Sequence, residues 1–121
     1  MFFHHVAIYS NCIKESVDFY QKFFHFVVIN ILKKDGKITG YHLKQNGGAF
    51  VLEILEGKNT EISQTFHLAF YIENVEDFYN KHKEEIKFIK KPFYLDEEVV
   101  AFLCDIDGYK IEINNKLVFK E

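Results

Sequence analysis

The chain repeats itself, and that repeat limits what it can fold into. The segment HVAIYSNCIKESVDFY, His5 to Tyr20, lies over HLAFYIENVEDFY, His67 to Tyr79, once three loop residues are dropped. His5 matches His67, Ala7 matches Ala69, Tyr9 matches Tyr71, and Asp18-Phe19-Tyr20 matches Asp77-Phe78-Tyr79. Carrying the helix spacing forward places Glu53 of VLEIL over Glu112 of KIEIN. Two copies of one supersecondary unit follow, because equivalent apolar positions must be buried in the same way in each.

Hydrophobic periodicity gives the unit its order. Val6 and Ile8 alternate within FHHVAIYS and predict a strand. Ile13, Val17, Tyr20 and Phe24 follow at helical spacing, with Asn11 as the expected N-cap. FVVINILKK and ITGYHLKQ flank Asp35-Gly36, a strong hairpin signal, and Gly47-Gly48 turns the chain into AFVLEILEG. After the polar stretch Lys58 to Gln64 come strand TFHLAFYI, helix VEDFYNKHKEE, and strands IKFIKK, EVVAFLCDI and YKIEINN, the last beyond an Asp107-Gly108 turn. The order is β-α-β-β-β, twice. This predicts an α+β fold in one domain spanning 1–121, with repeat one at about 1–57, a linker at 58–64 and repeat two at about 65–121.

Composition supports a packed domain and narrows its partners. The hydrophobic fraction is 48%, with 14 Phe and 7 Tyr to fill a core, and a single Pro argues against disorder. The aromatic stripe Phe19, Tyr20, Phe23 and Phe24 belongs to that core or to a dimer interface. A net charge of −3 with acids and bases interleaved leaves no basic patch for nucleic acid. All 15 basic residues are Lys, so the bidentate clamp that Arg offers to carboxylate or phosphate is missing. Lys33-Lys34 and Lys90-Lys91 read as solvated strand ends, with contact to an anionic substrate as the alternative. Cys12 and Cys104 form neither a disulfide framework nor a C-x-x-C pair, and no secretory leader or membrane-length apolar run is present, so a reduced, cytoplasmic protein is expected. Cys104, inside VVAFLCD, is expected to be a small buried hydrophobe.

Strand parity then says where the repeated His and Glu point. Val6 and Ile8, Leu68 and Phe70, Leu52 and Ile54, and Ile111 and Ile113 flank them on the opposite face, where the helices would pack. His5, Glu53, His67 and Glu112 share the other face. Carboxylates on the inner face of an apolar sheet are costly unless paired or bound to a cation. Two imidazoles and two carboxylates suit a divalent ion such as Zn²⁺, Ni²⁺, Co²⁺, Mn²⁺ or Fe²⁺. His4, one residue earlier, is expected to face away. His25, His42 and His82 have no evident partner in the sequence.

At these residues the chain resembles a known family. His5-Val-Ala-Ile, Ser16-x-x-Phe19-Tyr20, LEIL, HLAFYIENVEDFY and DIDGYKIEI look like the vicinal oxygen chelate superfamily, with the glyoxalase I (lactoylglutathione lyase) branch as the nearest likeness. The resemblance implies paired βαβββ modules forming a cup around one divalent metal, usually in a homodimer. It also implies conversion of a methylglyoxal–thiol hemithioacetal to a lactoyl thioester through an enediolate. Glu112 is implied as the base and Glu53 as its symmetric partner.

The departures bear on the substrate. Glyoxalase I enzymes that use glutathione usually carry an Arg after the first His, where this chain has Tyr9. The usual Gly after the first helix is here His25, between Phe24 and Phe26. Three further functions stay open. An acyl-CoA epimerase resembling methylmalonyl-CoA epimerase shares LEILEG and HLAF. A dioxygenase needs only His5, His67 and Glu112, and Glu53 counts against it. A binding or resistance protein on the same scaffold needs no metal at all.

Overall fold

The computed structural model describes residues 1–58 and 66–117. The predicted linker therefore lies outside the described residues apart from Lys58. The chain divides into two compact units, Met1–Glu61 and Ile62–Glu121. Among the described residues there are eight strands and two helices, and the fold is α+β with two βαβββ units.

Unit one runs β1 (His5–Ser10), α1 (Ile13–Phe24), β2 (Phe26–Lys34), β3 (Lys37–Gln45) and β4 (Val51–Glu56). Its sheet has the order β1-β4-β3-β2, with β1 parallel to β4 and the other pairs antiparallel. Helix α1 packs against this sheet through the expected stripe: Val17, Phe19, Tyr20, Phe23 and Phe24 are all buried. Its N-terminus differs from the expected one. Cys12, not Asn11, occupies the cap and makes no side-chain capping bond; instead Ser10 Oγ accepts from the Cys12 N–H at 3.1 Å. The hairpin at Asp35-Gly36 forms as predicted, with φ of 52° and 77°, the paired left-handed geometry of a type I′ turn. His25 caps the C-terminus of α1 at φ 56°, a left-handed position where Gly is the usual occupant.

Unit two runs β5 (Leu68–Tyr71), α2 (Val75–His82), β6 (Phe88–Leu95), β7 (Glu98–Cys104) and β8 (Lys110–Asn114), in the order β5-β8-β7-β6. Helix α2 is shorter than VEDFYNKHKEE suggests and starts from Asn74, whose side chain accepts from the Asp77 N–H at 3.0 Å. Strand β6 runs further than IKFIKK, carrying Pro92 along the sheet edge, where a residue without an N–H is tolerated. Lys90-Lys91 thus lies mid-strand rather than at a strand end. The ladder to β7 shifts register between Phe88 and Lys90 and again between Lys90 and Phe93.

Candidate functional site

Each unit brings its predicted His and Glu together on the sheet face opposite the helix. Glu53 stands between Leu52 and Ile54, neither of which has exposed surface, so alternation turns its carboxylate away from α1. Glu112 stands likewise between the fully buried Ile111 and Ile113. His5 opens β1 and His67 immediately precedes β5. His5 Nε2 lies 3.5 Å from Glu53 Oε1, and His67 Nε2 lies 3.6 Å from Glu112 Oε1. The repeat seen in the sequence is therefore a repeat in geometry.

The other carboxylate oxygen differs between units. In unit one the register pairs His42 of β3 with Glu53 of β4 and with Asn30 of β2. His42 Nε2 lies 2.6 Å from Glu53 Oε2, and Asn30 Nδ2 lies 3.2 Å from His42 Nδ1. With the amide assigned in that sense, Asn30 donates to Nδ1, which leaves the Nε2–H of His42 to donate to Glu53. In unit two the register partner of Glu112 is Phe102, and the partner of Phe102 is Lys90. Glu112 Oε2 instead accepts from Asn114 Nδ2 at 2.7 Å, a neighbour on its own strand. Side-chain exposure follows: 15% for Glu53 and 22% for Glu112.

His42, without an evident partner in the sequence motifs, has one by strand register. Counting outwards from Gly47-Gly48, the centre of the β3–β4 turn, places 42 opposite 53. His4 also departs from expectation. It precedes the first ladder residue of β1, so strand alternation does not govern it, and its Nδ1 lies 2.7 Å from His5 Nδ1. When His5 Nδ1–H donates to His4, the Nε2 lone pair of His5 is left for an electrophile beside Glu53. His82 contacts Glu85 at 3.6 Å and the ring of Phe78. Cys104 is half-buried rather than fully buried. Burial pushes its thiol up, with Lys87 opposing and Asp105 adding to the shift.

The donor chemistry of each pair suits a divalent ion. Two donors about 2.1 Å from a tetrahedral ion stand about 3.4 Å apart, close to the separations in both pairs. Both carboxylates also carry a second hydrogen-bond partner of the kind that orients metal ligands. Among the described residues, no group of three or more His, Cys, Asp or Glu side chains is gathered for a metal. A depression of about 930 Å³ in unit two is lined by Leu95–Glu98 and Asn115–Leu117, and neither His67 nor Glu112 belongs to it. Among the described residues no helix is long and apolar enough to cross a membrane.

Residues 2–113 match the family model of the Glyoxalase/Bleomycin resistance protein/Dioxygenase superfamily. The chain belongs to this superfamily. Solved structures of similar fold include UcmS2, at 14% identity and TM-score 0.76, covering 96% of this superfamily member and 98% of that chain. SMU.1112c is similar at 28% identity and TM-score 0.71, with 94% and 98% covered. A mutant glyoxalase I from Zea mays is similar at 19% identity and TM-score 0.76, covering 93% of this chain but 44% of the maize protein. No functionally curated protein matches.

Proposed function

We propose that this chain is a metal-dependent lyase of the glyoxalase I type. It converts the hemithioacetal of a 2-oxoaldehyde, methylglyoxal above all, and a thiol, glutathione or another, into a 2-hydroxyacyl thioester. The observation that supports this most is the pair of matched His–Glu contacts, 3.5 and 3.6 Å, one in each unit of a chain from this superfamily.

In this reading His5, Glu53, His67 and Glu112 hold one divalent ion per site: Ni²⁺, Zn²⁺, Co²⁺, Mn²⁺ or Fe²⁺. When bound, such an ion supplies Lewis acidity to two neighbouring oxygens. The remaining work falls to side chains. The Glu112 carboxylate takes the proton from the hydroxyl-bearing carbon and returns it to the adjacent carbonyl carbon. One C–H bond breaks, another forms, and the hydroxyl proton passes between the two oxygens, so there is no net redox change. Glu112 suits this role better than Glu53. Its bond to Asn114 comes from an amide two residues along its own strand, whereas Glu53 is tied at 2.6 Å to a histidine on the next strand that is itself held by Asn30. Glu53 serves as the fixed carboxylate.

Each unit supplies half of the donor set, and we assign the active form as a cytoplasmic homodimer of single-domain chains. Protein purified without chelator should carry about one divalent ion per site, lost on acidification because protons compete with the metal for its ligands. His67→Ala and Glu112→Ala should each abolish stoichiometric metal and hemithioacetal turnover; unchanged metal content in both would refute the ligand set. A mixture of Glu53→Ala and Glu112→Ala chains should regain activity if ligands cross the dimer and none if each chain builds its own site. Epimerisation of an acyl-CoA without turnover of any hemithioacetal would move the assignment to the epimerase.

A further inference from the structure

We propose that the Glu112-bearing sheet face recognises a carboxylate on the substrate, held by the ammonium groups of Lys90 and Lys110 against the ring pair Phe93–Phe102. The inference rests on the reading above that this face receives the substrate. Lys110 lies two residues before Glu112 on β8, so the two share a face. Lys90 pairs with Phe102, and Phe102 with Glu112, so these belong to that face as well. The second register shift in β6 brings Phe93, three residues after Lys90, back to the same side, opposite Val100 and thence Asn114.

The side chains are arranged accordingly. Phe93 and Phe102 stack with centroids 6.1 Å apart and an interplanar angle of 26°. Lys90 Nζ stands 4.0 Å from the Phe93 centroid, and Lys110 Nζ 4.3 Å from that of Phe102. A ring face fixes an ammonium without neutralising it. Among the described residues, no carboxylate lies within ion-pair distance of either lysine, whereas Glu112 has His67 and Asn114. Two cations are thus fixed on one face with their charge unanswered. Phe102 also meets the His67 ring edge-on at 6.4 Å, joining this cluster to the reactive pair. Unit one has no counterpart: Asn30 and His42 hold the register positions of Lys90 and Phe102. In a chain without Arg, lysines held in this way are suited to read a substrate's charge. The substrate class is an apolar segment, laid on the Phe pair, that ends in a carboxylate. A mercaptocarboxylate adduct and an acyl thioester with a side-chain carboxylate both fit.

The test uses two thiols of equal length, 3-mercaptopropionate and neutral 3-mercapto-1-propanol. In an amide NMR titration, the carboxylate should move Lys90, Phe102 and Lys110 in a saturable way, and the alcohol should not. Lys90→Gln/Lys110→Gln should weaken that binding about tenfold, while Lys90→Arg/Lys110→Arg should keep it, which separates charge from folding. In turnover of the methylglyoxal adducts, wild type should favour the charged thiol through KM, and the Gln variant should lose the preference. Equal shifts with both thiols, tighter binding of inorganic phosphate than of the carboxylate, or failure of the Arg variant to bind would each overturn the proposal. A persisting binding contrast without turnover of either adduct or of the glutathione adduct would support the carboxylate site and refute the glyoxalase reading.

Discussion

His42→Phe is the substitution that most directly tests how the site is built. Phe102 already stands in the corresponding register position of unit two, beside Glu112, so the sheet accommodates that side chain. What the change removes is the 2.6 Å bond to Glu53 Oε2. A hydrogen bond to a charged group contributes about 1.5–3 kcal/mol when buried. Both partners here are 15% exposed, so water recovers part of that, and the expected loss is about 1 kcal/mol. In a chain of this size that lowers the melting temperature by about 4 °C. The larger effect should fall on the metal, because removing a group that orients a ligand typically weakens affinity about 10–100-fold. Thermal melts in chelator measure the first effect, and competition with a chromophoric chelator measures the second. Phe102→His is the reciprocal control, giving Glu112 a cross-strand partner and a stiffer carboxylate. Metal affinity within twofold of wild type in His42→Phe, with a normal fold, would refute the idea that His42 orients Glu53.

Other expectations follow from local structure. His25→Gly should stabilise the protein by about 0.5–1 kcal/mol in denaturant melts, because His25 is exposed and sits at φ 56°, where a Cβ is strained. Ser16→Ala should be neutral or stabilising by up to about 1 kcal/mol, since the buried Ser16 Oγ has no hydrogen-bond partner among the described residues. Iodoacetamide at neutral pH should modify exposed Cys12 before Cys104. The Cys104 thiol is raised, so its thiolate is scarce there, and its alkylation should accelerate only at higher pH than an ordinary thiol requires.

The parts of the fold that were legible in the sequence are those set by period and repeat. Parity alone turned Glu53 and Glu112 away from the helices, because Leu52, Ile54, Ile111 and Ile113 leave no ambiguity about which face is apolar. Asp35-Gly36 marked its turn because both residues need positive φ. What stayed hidden depends on register. The shifts in β2 and β6 break the simple count, so Asn30 could not be placed beside His42, nor Lys90 and Phe93 on one face. The helix cap went to Cys12 rather than Asn11 because Ser10, facing inwards with no exposed surface, already takes the Cys12 N–H.

The two units share a pattern and diverge at the position opposite the glutamate, His42 in one and Phe102 in the other, and the proposed chemistry follows that divergence. A histidine there, backed by Asn30, fixes Glu53 across two strands. A phenylalanine there makes no hydrogen bond, so the second carboxylate oxygen of Glu112, the one turned away from His67, is met by Asn114 of its own strand, while the ring becomes a surface on which Lys110 rests. The two carboxylates are thereby suited to different roles. In the proposed reaction Glu53 would hold its place while charge develops nearby, and Glu112 would carry the proton from one carbon to the next. Two identical halves would provide two fixed carboxylates or two mobile ones. The same replacement that removes the cross-strand partner of Glu112 also sets an apolar, positively charged wall next to it, so the unit proposed for proton transfer is the one suited to choosing the substrate.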